Sequence, residues 1–288
     1  MDQLEGKVAV ITGGASGMGL AFAHRFAREG MRLVLADVEE PALDAAVSEL
    51  SAGGTEVIGV VTDVSDGASM DRLAAAAFDR FERVNVVCNN AGVSGSSSPV
   101  AELTAADWAW VLGVNLWGVI HGHRVFQPHL MAHGDGHVVN TASMAGHTAF
   151  SGLAPYHVSK HGVVALSETV YHELVAAGSS VGITVLCPGF VNTRIADSDR
   201  NRPEALPDPL IGDPDEQADL RQMIRDFFAS KQPPEEVADL VVDAIRERTF
   251  YLFTADAWTA QIAERHQDIV TGRNPRPRGN MIEESFRG

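Results

Sequence analysis

Tyr156 and Lys160, in the segment Tyr156-His157-Val158-Ser159-Lys160, place a phenol and an amine four residues apart in a chain of 288. On a helix that spacing stacks the two side chains on one face, one turn apart. An ammonium beside a phenol favours the phenolate, so such a tyrosine can exchange its proton nearer neutral pH. Taken alone, the pair also fits a surface tyrosine beside a solvated lysine. A second group is Thr12-Gly13-Gly14-Ala15-Ser16-Gly17-Met18-Gly19, which follows an apolar run and opens a helical one. In that context glycines let the backbone turn sharply and approach a pyrophosphate, while the helix start supplies free N–H groups and partial positive charge. Ser143, in Asn140-Thr141-Ala142-Ser143 at the end of another apolar run, offers a hydroxyl that can bond a substrate oxygen.

These groups need a scaffold, and the rest of the sequence supplies one. Short β-branched runs at 8–11, 32–36, 57–61, 84–88, 137–141, 183–187 and 250–253 alternate with Ala- and Leu-rich stretches at 17–29, 40–50, 68–81, 116–132 and 156–176. Such alternation implies an α/β fold, a parallel sheet of about seven strands with helices on both faces. No internal repeat or linker divides the chain, so residues 1–288 read as a single domain. The rhythm breaks at 194–234, a polar stretch rich in acid and in proline (Pro203, Pro207, Pro209, Pro214, Pro233, Pro234) with one helical stretch at 215–229. A long insertion after a strand's carboxyl end lies where ligands bind, which makes it a candidate substrate lid. A C-terminal extension covers 255–288. Its tail, 271–288, with Arg273-Asn274-Pro275-Arg276-Pro277-Arg278, fits either a disordered end or an arm reaching a neighbouring subunit.

Composition narrows the function classes. The chain is 45% hydrophobic and 21% charged, enough for a sizeable core, and its net charge of −16 disfavours nucleic-acid and anionic-membrane partners. With no signal pattern at the N-terminus and no apolar stretch long enough to span a bilayer, an acidic cytoplasmic protein is expected. Cys88 and Cys187 each end a β-rich run and read as small core residues, not as a disulfide or metal pair. His121, His123, His129, His133 and His137 crowd one region, with His129 and His133 four apart, but no carboxylate motif accompanies them. A helix face or subunit interface is the expectation, and no metal.

The spacing Gly-x3-Gly-x-Gly, combined with Tyr-x3-Lys, resembles the short-chain dehydrogenase/reductases, in the branch of roughly domain-sized members. The resemblance spans residues 7–253 and rests on ordered motifs: the glycine loop, Asp63-Val64, Asn89-Asn90-Ala91-Gly92, Asn115, Ser143, the Tyr156/Lys160 pair, and Pro188-Gly189 leading to Thr193. It implies a Rossmann-like three-layer sandwich and a dinucleotide held by Gly13, Ser16, Gly17, Met18 and Gly19. Asp37 ends the second strand, 18 residues after Gly19. A carboxylate there accepts bonds from the adenosine ribose hydroxyls and repels a 2′-phosphate. It also fits the N-cap of the next helix. Ser16 and Val38 stand where phosphate-binding relatives often carry a base, so NAD is expected over NADP.

Further roles follow from the resemblance. Asp63 and Val64 lie near the adenine; Asn90, Ala91 and Gly92 line the cofactor groove. Pro188, Gly189, Val191 and Thr193 lie by the nicotinamide carboxamide. Tyr156 is the acid/base, while Lys160 binds the nicotinamide ribose and, with the oxidised ring's positive charge, lowers the phenol's pKa. Asn115 anchors a water relaying protons to Lys160. Enoyl reductases of the superfamily space their lysine farther from the tyrosine, and sugar-nucleotide epimerases space their glycines differently. Alcohol/ketone redox is therefore the expected chemistry. The segments 193–204 and 250–253 with Trp258 resemble, in part, Cα-dehydrogenases that oxidise benzylic alcohols of lignin-derived aryl ethers. Ala145, His147, Phe150, Leu153, Phe190 and apolar residues of the 194–234 stretch are the expected substrate-pocket residues, a mostly apolar set suited to an aryl or other bulky secondary alcohol. Polyols, steroids, terpenols and acyl thioesters remain alternatives, as does a non-catalytic NAD-binding regulator. Relatives' habit implies a homo-oligomer, tetramer or dimer, built through the helices at 116–132 and 156–176.

Overall fold

The computed structural model describes residues 1, 3–204, 206, 214–255 and 258–279. Among them seven strands form one parallel sheet: β1 Val8–Thr12, β2 Arg32–Asp37, β3 Val57–Val61, β4 Val86–Asn89, β5 His137–Thr141, β6 Gly182–Cys187 and β7 Tyr251–Phe253. Their order is β3-β2-β1-β4-β5-β6-β7. The chain winds outward from β1 in one direction, then crosses back to β4 and winds in the other. Between β1 and β4 the connections part to opposite sides, which opens a crevice at the strands' carboxyl ends.

The strands carry no polar alternation because both faces are covered. Ala9, Ile11, Leu33 and Leu35 point into one buried cluster. It is shared with α1 Gly17–Arg28, α2 Glu40–Ala52 and α8 Pro234–Glu247. Val8, Val10, Val34 and Val87 point the other way, against α3 Gly67–Phe81, α5 Gly118–His133 and α6 Ala154–Ala176. The expected α/β sandwich is present with its seven strands.

Several elements lie outside the sequence reading. α4, Ala105–Leu112, starts with a capping box between Thr104 and Asp107. α8 follows Pro233 with acids in its first turn and buries Val237, Val241, Val242 and Ile245 along one face; that 3.6-residue spacing and the Pro-Glu start were legible signals. In the 194–234 stretch, a 3-10 segment Arg194–Asn201 precedes α7, Pro214–Ala229, while Pro207 and Pro209 lie outside the described residues. The C-terminal extension forms α9, Thr259–Thr271. Beyond it the tail turns back onto its own chain as far as residue 279. Arg278 bonds Gln261 and Glu264 and sits over the Phe150 ring, and Ser151 N–H donates to Gly279 O at 3.3 Å. Residues 280–288 are outside the described set.

Candidate active site

The glycine loop owes its shape to steric exclusion. Gly13 has φ +64°, a conformation that disfavours any side chain, and a Cβ on Gly19 would overlap the Gly13 carbonyl. Ser16 is the N-cap of α1, yet among the described residues its hydroxyl makes no capping bond, and the helix's first turn holds no acid. Donors and dipole therefore face the crevice uncompensated. Thr12 Oγ1 donates to Cys88 O and accepts from Asn90 and Ala91 N–H, while Asn90 Nδ2 donates to Thr12 O at 3.0 Å. The ends of β1 and β4 are thus stitched together beneath the loop.

Asp37 does not cap α2, whose N-cap is Glu39. Its carboxylate instead accepts from Ala15 N–H at 3.0 Å and Glu39 N–H at 3.1 Å, fixing the glycine loop to the end of β2. Each oxygen retains a lone pair. Asp63 accepts from the Ser65 N–H and hydroxyl at 2.9 and 2.7 Å.

Asn115 occupies a π-helical turn, Gly113–Trp117, between α4 and α5. Fully buried, it accepts from Val93 N–H at 2.8 Å and donates to Val93 O at 2.9 Å and Ser159 Oγ at 3.2 Å. The extra residue of a π turn pulls an asparagine out of the helical ladder and aims it inward. A Cβ on Gly92 would sit 3.4 Å from Asn115 Oδ1 and 3.7 Å from Lys160 Nζ. The missing side chain leaves a gap between those two atoms.

Ser143 is extended at the end of β5, and its hydroxyl accepts from Ala145 N–H at 3.1 Å. It also bonds the Tyr156 phenol. Lys160 Nζ donates to Thr141 O at 2.8 Å and lies 5.6 Å from the Tyr156 ring centre. Burial pushes the Lys160 ammonium down to about 8. Burial also raises the phenol above its ordinary value, and the bond from Ser143 lowers it by less. Among the protein's own groups, desolvation outweighs what lowers the phenol.

A cavity of about 1740 Å³ runs along the crevice. It is lined by Gly13, Ser16, Gly17, Met18, Asp37, Val38, Asp63, Val64, Asn90, Ala91 and Gly92 on the nucleotide side, and by Ser143, Tyr156, Lys160, Pro188, Gly189, Val191 and Thr193 toward the other end. Gly19 and Asn115 stand behind this lining. Leu153 and Phe190 reach the cavity, but Ala145, His147 and Phe150 do not. The 3-10 turn Met144–Gly146 swings the chain inward after Ser143. As a result His147 packs behind β6, its Nε2 3.4 Å from Cys187 Sγ and its ring 5.4 Å from Phe253. Phe150 meets Trp258 edge-on at 5.8 Å, and Ala145 is enclosed under α6, its carbonyl against His157 Nδ1 at 3.0 Å.

Other lining residues, the serine run Ser94, Ser96 and Ser97 and Trp110, escaped the sequence reading, while Phe227 and Phe228 of α7 are among the apolar residues expected of the 194–234 stretch. Phe190 contacts both phenylalanines, at 4.9 and 5.7 Å, and Trp258 at 5.8 Å. Residues 194–202 form a strap across the crevice. Ser198 accepts from Ser94 N–H at 3.0 Å, and Arg202 pairs with Asp107, bonds Ser96 Oγ at 3.1 Å and lies over Trp110.

The histidine group disperses. His123 sits 2.9 Å from the Asn140 amide, His129 and His133 pack ring to ring at 5.0 Å, and His137 Nε2 faces Thr184 Oγ1 at 2.8 Å. Among the described residues no three His, Cys, Asp or Glu side chains group as metal ligands, and no helix is long and apolar enough to cross a membrane.

Four similarities bear on this site. The family model for short chain dehydrogenases matches residues 7–204. A crystal structure of a short chain dehydrogenase/reductase from Burkholderia phymatum in complex with NAD is 48% identical, with a TM-score of 0.91, covering 98% of this chain and all of that one. The 1-deoxy-11-beta-hydroxypentalenate dehydrogenase of Streptomyces exfoliatus is 35% identical over 92% of this chain and 89% of its own length. The (2S)-[(R)-hydroxy(phenyl)methyl]succinyl-CoA dehydrogenase subunit BbsD of Thauera aromatica is 34% identical over 77% of this chain and 90% of its own.

Proposed function

The chain belongs to the short chain dehydrogenase family, and on that premise we propose that it is an NAD-dependent oxidoreductase interconverting a bulky, hydrophobic secondary alcohol and its ketone. The observation that carries the reading is the meeting, in one cavity, of Ser143, Tyr156 and Lys160 with the glycine loop and Asp37. The nucleotide side fits a dinucleotide: an uncapped helix start, a glycine-rich loop, and a carboxylate with free lone pairs at the end of β2. NAD, when bound, supplies the hydride-accepting ring and a positive charge beside the phenol.

The chain's own residues do the rest. Ser143 holds the substrate oxygen, and the Tyr156 phenolate takes its proton during oxidation, while the Tyr156 phenol returns it during reduction. Lys160, buried and bonded to Thr141 O, holds its charge near the phenol and donates to the nicotinamide ribose. Lowering a phenol from about 10 to about 7 needs roughly 4 kcal/mol. Because burial opposes it here, the ring's charge has to add to the lysine's. The gap beside Gly92 supports a water between Asn115 and Lys160, through which the proton leaves. Residues 194–234 act as the substrate lid. Phe190, Phe227 and Phe228 give it an aromatic wall, which favours an aryl or polycyclic body, and the Burkholderia relative's NAD and the Thauera relative's benzylic carbinol agree with that reading.

The test is NAD-linked turnover over a panel of benzylic, terpenoid, steroid and small polyol alcohols and acyl thioesters. Turnover of bulky alcohols is expected, with Tyr156→Phe lowering kcat by about 10²–10⁴-fold while NAD binding persists. Turnover confined to polyols or thioesters removes the bulky substrate. NAD binding with no turnover in either protein leaves a regulator.

A further inference from the structure

We infer that Glu39 is a second determinant of NAD over NADP, acting by occupying the strap's Arg200; this rests on the NAD reading above. Asp37 accounts for repulsion of a 2′-phosphate, but the cavity places an arginine close to that end as well. Arg200 and Glu39 both line it, together with Asp37 and Val38. An arginine at such a place is the side chain best shaped to grip a phosphate, through paired N–H donors.

Here those donors are engaged. Arg200 Nε donates to Glu39 Oε1 at 2.8 Å, and its Nη2 lies 2.7 Å from the same oxygen in an ion pair. Its Nη1 donates to the carbonyls of Arg194 and Asp197 at 3.1 and 3.0 Å. Asn201 Nδ2 adds a hydrogen bond to the same carboxylate oxygen at 2.9 Å. Glu39 is the N-cap of α2 yet caps nothing with its side chain, because its carboxylate turns to the strap instead. Both partners keep only 25% of their side-chain surface exposed. Replacing the carboxylate by its neutral isostere leaves Arg200 Nε and Nη2 with a weak acceptor and an unbalanced charge at the mouth of the cofactor crevice. A dianionic phosphate is the natural partner for that charge. Selectivity then has two parts, a carboxylate that repels the phosphate and a second that withholds the cation.

The test measures direct binding of NAD and NADP by calorimetry for the wild type, Glu39→Gln, Arg200→Gln and the double variant, with thermal melts to show that each folds. Glu39→Gln is expected to narrow the NADP-to-NAD Kd ratio about tenfold, about 1.4 kcal/mol, mainly through tighter NADP. Adding Arg200→Gln is expected to remove that gain. An unchanged ratio in Glu39→Gln, or a gain that survives loss of Arg200, overturns the inference while leaving the NAD assignment intact. A wild type that binds neither dinucleotide overturns both.

Discussion

Lys160 carries its charge at a cost to stability. Its amine is buried with a carbonyl as its hydrogen-bond partner and is pushed down to about 8, below the unfolded value of about 10.4. The folded protein therefore binds fewer protons than the unfolded chain between those two values. The penalty is complete below about pH 8 and is relieved as pH rises toward 10.4. Lys160→Met is expected to raise stability at pH 7 by about 1–2 kcal/mol, since the carbonyl it orphans offsets part of the gain. Calorimetric melts across pH 7–10.5 check this: the advantage should shrink to nothing by the upper end, and turnover should be lost throughout. Tyr156, Lys160 and the glycine loop were legible because their chemistry is written in local spacing. The direction of the phenol's shift was not, because it depends on desolvation by residues distant in sequence.

Elements differ in how plainly they announce themselves. Parallel strands buried on both faces read as unbroken apolar runs, so β1 to β6 stood out, and the three-residue β7 falls within the run at 250–253. Ala145, His147 and Phe150 stand outside the cavity lining, in and beyond the 3-10 turn that follows Ser143. The strap's attachments lay beyond sequence reading for another reason. Arg202 meets Asp107 across 95 residues, and no spacing rule connects them. With side-chain exposures of 7% and 9%, this is a buried pair whose breakage strands a charge. Arg202→Met is expected to cost about 3 kcal/mol, seen as a lower melting temperature, and to raise KM for substrate more than it lowers kcat. A fall in kcat at constant KM would mean that the strap does not shape the substrate cavity.

At the scale of the molecule, α5, α6 and the turn before them leave an apolar surface: Trp117, Val158, Tyr171 and Val175 are all at least 43% exposed. We propose that this face builds a homo-oligomer. Sedimentation equilibrium at micromolar concentration is expected to give a dimer or tetramer, and Trp117→Glu a smaller species; a monomeric wild type would refute it. The sheet also sets the chain's relation to its surroundings. Cys187 closes β6 beside the site with its thiol pushed up to about 12, and Cys88, wholly enclosed, is raised too. Neither sulfur offers a thiolate at neutral pH or a path for an oxidant to reach one. A protein whose work is moving electrons therefore keeps its own two oxidisable thiols out of the circuit. Peroxide or a shifted thiol balance around it can change what cofactor it meets, but leaves these two thiols silent.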